Sequence, residues 1–316
     1  MLKMVKTIIL KKFLSESLYI PTIYLLNMDI RNIQRTGDMH YLYLPTSWCR
    51  EHKIGSKSKV SIEQASDGKL IIYPEITLNK PKHLQFDISE DEEEIIHKLV
   101  VSSYIHPLAS FEINLEKEMD LTKLLNQKRL ISLESVEIDK NQITSNGTVT
   151  VSDPESLLKT MVKKIKNMLL IMQKSYDKEL IERYEDEIDR SKMLIDKSVI
   201  ESLIIGKTSK LKTIELYYIS LISKELERMV DRLICLDNSS QKFLDGVAKP
   251  VEMLQEILQN PDALDQDKAI DFAKAVLIKA DDSKITRAYD MGRIKQHLIT
   301  ISEVVMDWMV TIKMQN

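Results

Sequence analysis

From residue 153 onward the chain carries one recurring signal: apolar residues three and four apart, over stretches too long for strands. Leu158, Met161, Val162, Ile165, Met168, Leu169 and Met172 form one such stripe. Ile181, Tyr184, Ile188, Ile195 and Val199 form a second, and Ile214, Tyr217, Leu221, Met229, Val230, Leu233 and Ile234 a third. This spacing gathers apolar side chains on one face of an α-helix, and such a helix folds only by packing that face on others. Asp153-Pro154-Glu155 marks the first start, with a cap, a first-turn proline and a first-turn acid. A second helix is expected after Asp177, ending at Gly206 as C-cap, and a third from near Ser209. After Asn238-Ser239-Ser240 the pattern recurs more weakly, as helices Val247–Leu258, Asp265–Asp290 and Ile294–Lys313 with a break at Asn260-Pro261. The expectation is a helical domain over 152–316 made of two successive three-helix bundles, about 153–237 and 241–316.

The rest of the chain differs in kind. Of the 7 glycines in 316 residues, Gly37, Gly55, Gly68 and Gly147 fall before the helical half. No two are close enough for a GxGxxG or GxxxxGK[ST] loop, which excludes the usual nucleotide-binding loops, where several glycines let backbone N–H groups approach phosphate. Residues 28–75 read as β-rich: strands Arg31–Gln34 and His40–Leu44 around a Thr36-Gly37-Asp38 turn, and a short helix near Thr46–His52 opened by Pro45 and closed at Gly55 in the left-handed conformation. Lys59–Gln64 and Lys69–Tyr73 then form a hairpin across Ser66-Asp67-Gly68. Strands this short cannot bury a core alone, so this unit calls for a partner chain. Residues 80–151 read as a small α/β domain with strands Leu84–Ile88 and Ser110–Leu115, a helix from Ser89 to about Ser103, a helix Asp120–Leu130, and a hairpin of Val136–Ile143 with Thr148–Val151 across Ser145-Asn146-Gly147. The fold class is α+β, mainly α.

Residues 1–26 place Lys3, Lys6, Lys11 and Lys12 among apolar residues. The segment has neither a cleavage site nor a span-length apolar run, and reads as a disordered extension or an over-called start before Met28, the alternative being a basic amphipathic anchor. No membrane span is expected. Cys49 and Cys235 lie far apart without metal spacing, which fits a reducing, cytoplasmic compartment. The net charge of −3 leaves any basic surface local.

Such a local surface lies between Arg31 and Val60, where Arg31, Arg35, Arg50, Lys53, Lys57 and Lys59 stand against only Asp38 and Glu51. The stretch "RNIQRTGDMHYLYLPTSWCREHKIGSKSKVSIEQASDGKLIIYPE", Arg31 to Glu75, resembles the AbrB/SpoVT family of swapped-hairpin DNA-binding domains. The shared order is basic strand, glycine turn, strand ending in Leu44-Pro45, short helix, then a Lys-x-Gly-Ser-Lys-Ser-Lys segment leading into a glycine hairpin. The resemblance implies a domain over 27–79 that forms an interlocked homodimer and presents those six basic residues to double-stranded DNA.

The helical half holds a second constellation. At 48 acids in 316 residues, about seven acid pairs four apart are expected by chance, so placement decides. Glu185 and Asp189 fall mid-way along the second helix, and Glu227 and Asp231 fall late on the third. Antiparallel packing would join them into an oxygen-rich site for a hard or borderline cation, with Arg190 and Arg228 as the alternative source of positive charge. Here "YEDEIDR" and "KELERMVDRL" resemble the acidic helix motifs of the PhoU family, with Met229-Val230 where Ile-Gly is usual. That resemblance covers 153–316. It implies paired three-helix bundles, metal sites at these motifs (Mg, Zn or Fe, divalent or trivalent) and a role in regulating phosphate uptake. In the second bundle Glu303 and Asp307 keep the spacing, but Val304 replaces the arginine, and "DDSKIT" offers Asp282 with Thr286 in place of a second acid. An AbrB-like domain joined to a PhoU-like one is an arrangement of archaeal regulators.

Other patterns carry less. Glu94-Ile95-Ile96-His97 has a di-iron spacing but occurs once, so His97 reads as a surface or cap residue. The methionines from Met161 to Met172 read as core packing. No nucleophile accompanies the acid pairs, so an enzyme is not expected. The leading expectation is a DNA-binding transcriptional regulator of phosphate homeostasis with a metal-binding helical sensor. The alternative is an accessory protein that docks on a phosphate transporter or signalling partner without binding DNA.

Overall fold

A computed structural model describes residues 30–64, 68–74, 82–89, 91–106, 110–118, 136–146, 153–205, 211–237, 240–280 and 284–315. The expected extension 1–26, helix Asp120–Leu130, strand Thr148–Val151, turn residues Ser66 and Asp67, and the positions Gly206, Ser209 and Asp282 lie outside the described residues. The chain is α+β and mainly helical, and it divides into two compact units. One holds the described residues up to Glu63 together with Leu70–Pro74, and the other holds the remainder. Among the described residues no helix is long and apolar enough to cross a membrane.

The N-terminal unit consists of two separate ribbons and one short helix. Strands β1 (Gln34–Thr36) and β2 (Met39–Tyr41) pair antiparallel. Gly37 takes φ +63°, the left-handed conformation that the tight turn between them requires. Helix α1 (Thr46–Glu51) follows Pro45, and strands β3 (Ser61–Gln64) and β4 (Leu70–Tyr73) form the second ribbon. Two expectations are corrected here. The first strand begins at Gln34, not Arg31. The left-handed residue after α1 is Lys53 (φ 54°), not Gly55. Gly55 instead opens a turn: its N–H donates to Ser58 Oγ at 2.9 Å, and its carbonyl accepts from the Ser58 N–H at 3.0 Å.

The second unit begins with a four-stranded sheet in the order β5-β6-β8-β7. β5 (His83–Ile88) and β6 (Ser110–Leu115) run parallel, joined through helix α2 (Glu93–Ile105). β7 (Val136–Asp139) and β8 (Gln142–Asn146) form an antiparallel hairpin against β6. Phe111, Ile113, Leu115 and Ile143 turn to one face and pack on Ile96, Val100 and Tyr104 of α2. The hairpin turns at Lys140-Asn141, between the paired residues Asp139 and Gln142, and not at residues 145–147. The reason is alternation: pairing Ile138 with Ile143 keeps both on the apolar face, and Ser145 and Asn146 then continue the strand against Ser110 and Phe111. Helix α2 starts at Glu93, with Glu92 in the N-cap position and no side-chain capping bond, rather than at Ser89.

The six remaining helices are α3 (Pro154–Lys174), α4 (Lys178–Ile205), α5 (Thr213–Leu233), α6 (Gln241–Gln259), α7 (Gln266–Ala275) and α8 (Ile285–Gln315). The Asp153 carboxylate accepts the Ser156 N–H at 3.1 Å, and Asp177 does the same for Leu180 at 3.1 Å, so both expected starts are capped. The helices expected as two bundles share one apolar core. Every residue of the α3 stripe is at most 1% exposed, covered by α4, α5 and also α6, while α5 packs along α8. The second trio departs from expectation. α6 starts at Gln241, because Phe243 and Leu244 extend its buried stripe ahead of Val247 despite Pro250 within the helix. α7 ends at Ala275. α8 runs unbroken through Gly292, which has open space around it.

Helix α4 ties the sheet to the helical core. Met193 belongs to the sheet's apolar cluster. Lys197 is 7% exposed, donates from Nζ to the Tyr104 carbonyl at 2.6 Å and stands 4.5 Å from the Tyr104 ring centroid. It thus neutralises a carbonyl at the C-terminal end of α2, where the helix dipole favours a cation. Burial pushes its ammonium below the ordinary lysine value of 10.5, an effect opposed by Glu201.

Two outcomes follow. Leu226→Ala and Leu254→Ala, from different trios, should each cost about 2–5 kcal/mol and lower the same single transition in guanidinium unfolding monitored by helix circular dichroism. Because the unfolded state holds the Lys197 proton more tightly, stability should rise with pH as it climbs toward 10.5. Lys197→Met should reduce that rise in unfolding titrations run at stepwise pH.

Candidate functional site

The acid cluster is built where α4 meets α5. Asp189 lies about as far before the connection between these helices as Glu227 lies after it, so antiparallel packing sets them opposite each other. Asp189, Glu227 and Asp231 each offer a carboxylate oxygen, and the three oxygens lie within 4.8 Å of one another. Beside these acids in the chain stand the buried apolar residues Ile188 on α4 and Leu226, Met229 and Val230 on α5, together with the half-buried Arg190 and Arg232. Glu227 is only 9% exposed, and the Oδ1 atom of Asp189 is shut off from solvent.

Of the four acids expected to converge, these three do, and Glu185, one turn earlier on α4, falls outside the trio. Arg228 is turned to Glu225 at 3.3 Å and does not serve the cluster. Among the described residues this is the one group of three or more metal-ligating side chains. Glu303 and Asp307 do not form a second. α8 turns Val304, Val305, Trp308 and Met309 to the core, which leaves both acids on its exposed face. Thr286, expected opposite them, is exposed as well.

Three like charges this close repel by on the order of 3 kcal/mol per pair at an effective dielectric near 20. A bound cation offsets that repulsion. An all-oxygen set suits a hard ion such as magnesium or ferric iron better than zinc, which favours nitrogen and sulfur. Three protein oxygens also leave coordination positions open for water or for an anionic oxygen.

The six basic residues of the N-terminal unit are all exposed. Arg35 lies on β1, with Nε donating to the Gly37 carbonyl at 2.8 Å and a guanidinium nitrogen 3.6 Å from Asp38. Arg50 is in the last turn of α1, and Lys57 rides the Gly55–Ser58 turn. Arg31 precedes β1, Lys53 follows α1, and Lys59 precedes β3. His97 lies half-buried within α2 and not at a cap.

Sequence reasoning missed the charged seam between α5 and α8. Glu225 Oε2 lies 2.7 Å from Nδ1 of the buried His297. Arg232 pairs with Asp290 at 3.6 Å, and Asp237 pairs with Arg287 at 2.7 Å and Lys284 at 3.8 Å. No local spacing announces pairs whose members lie dozens of residues apart.

No protein-family model, curated protein or solved structure matches the chain.

Isothermal titration with magnesium and manganese should give one saturable site. Glu227→Gln and Asp189→Asn should each weaken it at least tenfold, while Glu303→Gln with Asp307→Asn leaves it unchanged. Asp231→Asn should weaken it likewise, since it removes the third of the carboxylates that lie together.

Proposed function

We propose that the chain is a homodimeric, double-stranded-DNA-binding regulator whose helical part senses phosphate status through a bound cation. One observation carries the reading. No described residue of the N-terminal unit is buried, and Ile30, Ile33, Met39, Tyr43, Ile62 and Leu70 are each more than 60% exposed. Two short ribbons with their apolar side chains in water are not stable alone. A second copy is the partner that fits, because the order of elements from Arg31 to Glu75 resembles the swapped-hairpin dimers. Pairing brings Arg31, Arg35, Arg50, Lys53, Lys57 and Lys59 together twice over, a density of positive charge suited to phosphate backbones.

The sensing role rests on the acid cluster and on the resemblance of "YEDEIDR" and "KELERMVDRL" to the PhoU motifs. A hard cation with open positions takes phosphate oxygens directly, so no glycine-rich anion loop is needed. The coupling between cation, phosphate and DNA is part of the proposal. It requires that the cation or its ligand favour one of two states of the dimer.

Binding of the purified protein to fragments of its own genome, titrated with salt, tests the DNA arm. Affinity should fall with salt by about 0.9 log unit per log unit for each phosphate neutralised. Arg31→Ala/Arg35→Ala/Lys57→Ala/Lys59→Ala should weaken binding at least tenfold and flatten that slope. Light scattering should report a dimer at micromolar concentration, and Ile62→Asp with Leu70→Asp should convert it to a monomer that no longer binds DNA. A stable dimer with no affinity for any fragment would overturn the DNA reading in favour of an accessory protein docked on a transporter.

A further inference from the structure

A cleft separate from the acid cluster lies between the C-terminal end of α6, the 3-10 turn Pro261–Ala263 and α7. Its volume is about 300 Å³, at the lower end of the range for small-molecule sites. Its floor is apolar: Ile257 and Leu264 line it and are 6% and 4% exposed. Its rim is polar and of mixed sign. Glu256 and Asn260 come from the end of α6, and Lys268 and Asp271 from α7.

These four groups are not equivalent. Lys268 Nζ donates to the Ala263 carbonyl at 2.6 Å, which anchors a long, flexible cation at the mouth of the cleft. Asp271 is already shared with Lys274, at 3.2 Å. No ion pair within the described residues engages Glu256. The cleft therefore offers an anchored ammonium, an open carboxylate and an amide around an apolar floor.

We propose that this cleft binds a free α-amino acid with an apolar side chain. The α-ammonium pairs with Glu256, the α-carboxylate meets Lys268 Nζ and the Asn260 amide, and the side chain lies on Ile257 and Leu264. The mixed sign of the rim selects this class. A polyamine would set a second cation beside Lys268, where Asp271 is already compensated. A fatty acid would set its carboxylate beside Glu256. A metal ion would find a single open carboxylate, too few to displace its water. A ligand carrying one charge of each sign together with an apolar substituent meets every group. This site is independent of the cation cluster and of the DNA-binding reading.

Isothermal titration of the full-length protein with L-leucine, L-methionine, L-valine and L-phenylalanine tests it. At least one should saturate with a Kd of about 1 mM or below. Isoamylamine and isovalerate, which carry one charge each, should bind at least tenfold more weakly. Glu256→Gln and Lys268→Met should each weaken binding at least tenfold, and Asp189→Asn should leave it unchanged. Both rim residues are exposed, so the variants should fold, which circular dichroism checks. Failure of all four amino acids to saturate by about 10 mM would overturn the proposal. So would equal binding of the single-charge controls, or binding that survives both substitutions.

Discussion

The apolar stripe of α3 is wider than one neighbour can cover, and the helical half is arranged around that fact. Leu158, Met161, Val162, Ile165, Met168, Leu169 and Met172 leave almost no surface to water. Burying a stripe of this breadth takes α4 on one flank, α6 on another, and α5 over the remainder. Each buried side chain of this size contributes about 1.5–3 kcal/mol, so no arrangement that exposed part of the stripe would compete. A consequence is that the second trio of helices cannot stand apart. α6 is held by α3, α8 is held by α5, and a single core results.

Helix α5 lies between two seams of opposite character. Toward α8 the polar groups are paired: Glu225 lies 2.7 Å from His297 Nδ1, Arg232 pairs with Asp290, and Asp237, just past the end of α5, pairs with Arg287. Such pairs fix the register of two long helices and leave little net charge inside. Toward α4 three acids gather with the same sign. Opposite charges offset one another in place, while an accumulation of one sign costs energy that a cation offsets. The contrast along one helix distinguishes a seam that closes the fold from a seam suited to take up an ion.

Much of this was legible in the sequence, and the limits have physical causes. The starts at Asp153 and Asp177 were readable because capping is local chemistry, satisfied within three residues. Strand Ser110–Leu115 was readable to the residue from its alternation. Three of the four acids were found because helical spacing together with antiparallel packing dictates their approach. Glu185 was not separable from them, since spacing alone does not reveal how far two helices remain close. The second acid pair looked equivalent on spacing, but which face of α8 points inward depends on Val304, Val305, Trp308 and Met309, and their claim on the core outweighs the acids. The hairpin turn was misplaced because Asn146-Gly147 is the stronger local turn signal, while pairing of Ile138 with Ile143 in the sheet decides the register. Lys197 gave no sequence signal, because its partner is a backbone carbonyl on a distant helix.

The open condition of the N-terminal unit bears on when the protein works, as well as how. No described residue of this segment is buried; if it orders by pairing with a second copy, as proposed above, its order is second order in chain concentration. On that reading the population of ordered N-terminal units would climb steeply around a threshold of abundance, while the helical half has an apolar core of its own. A cell making this chain slowly would hold intact helical halves attached to unassembled N-terminal units. The amount of protein present would then be a control input in itself, separate from any ion or small molecule that the rest of the chain takes up.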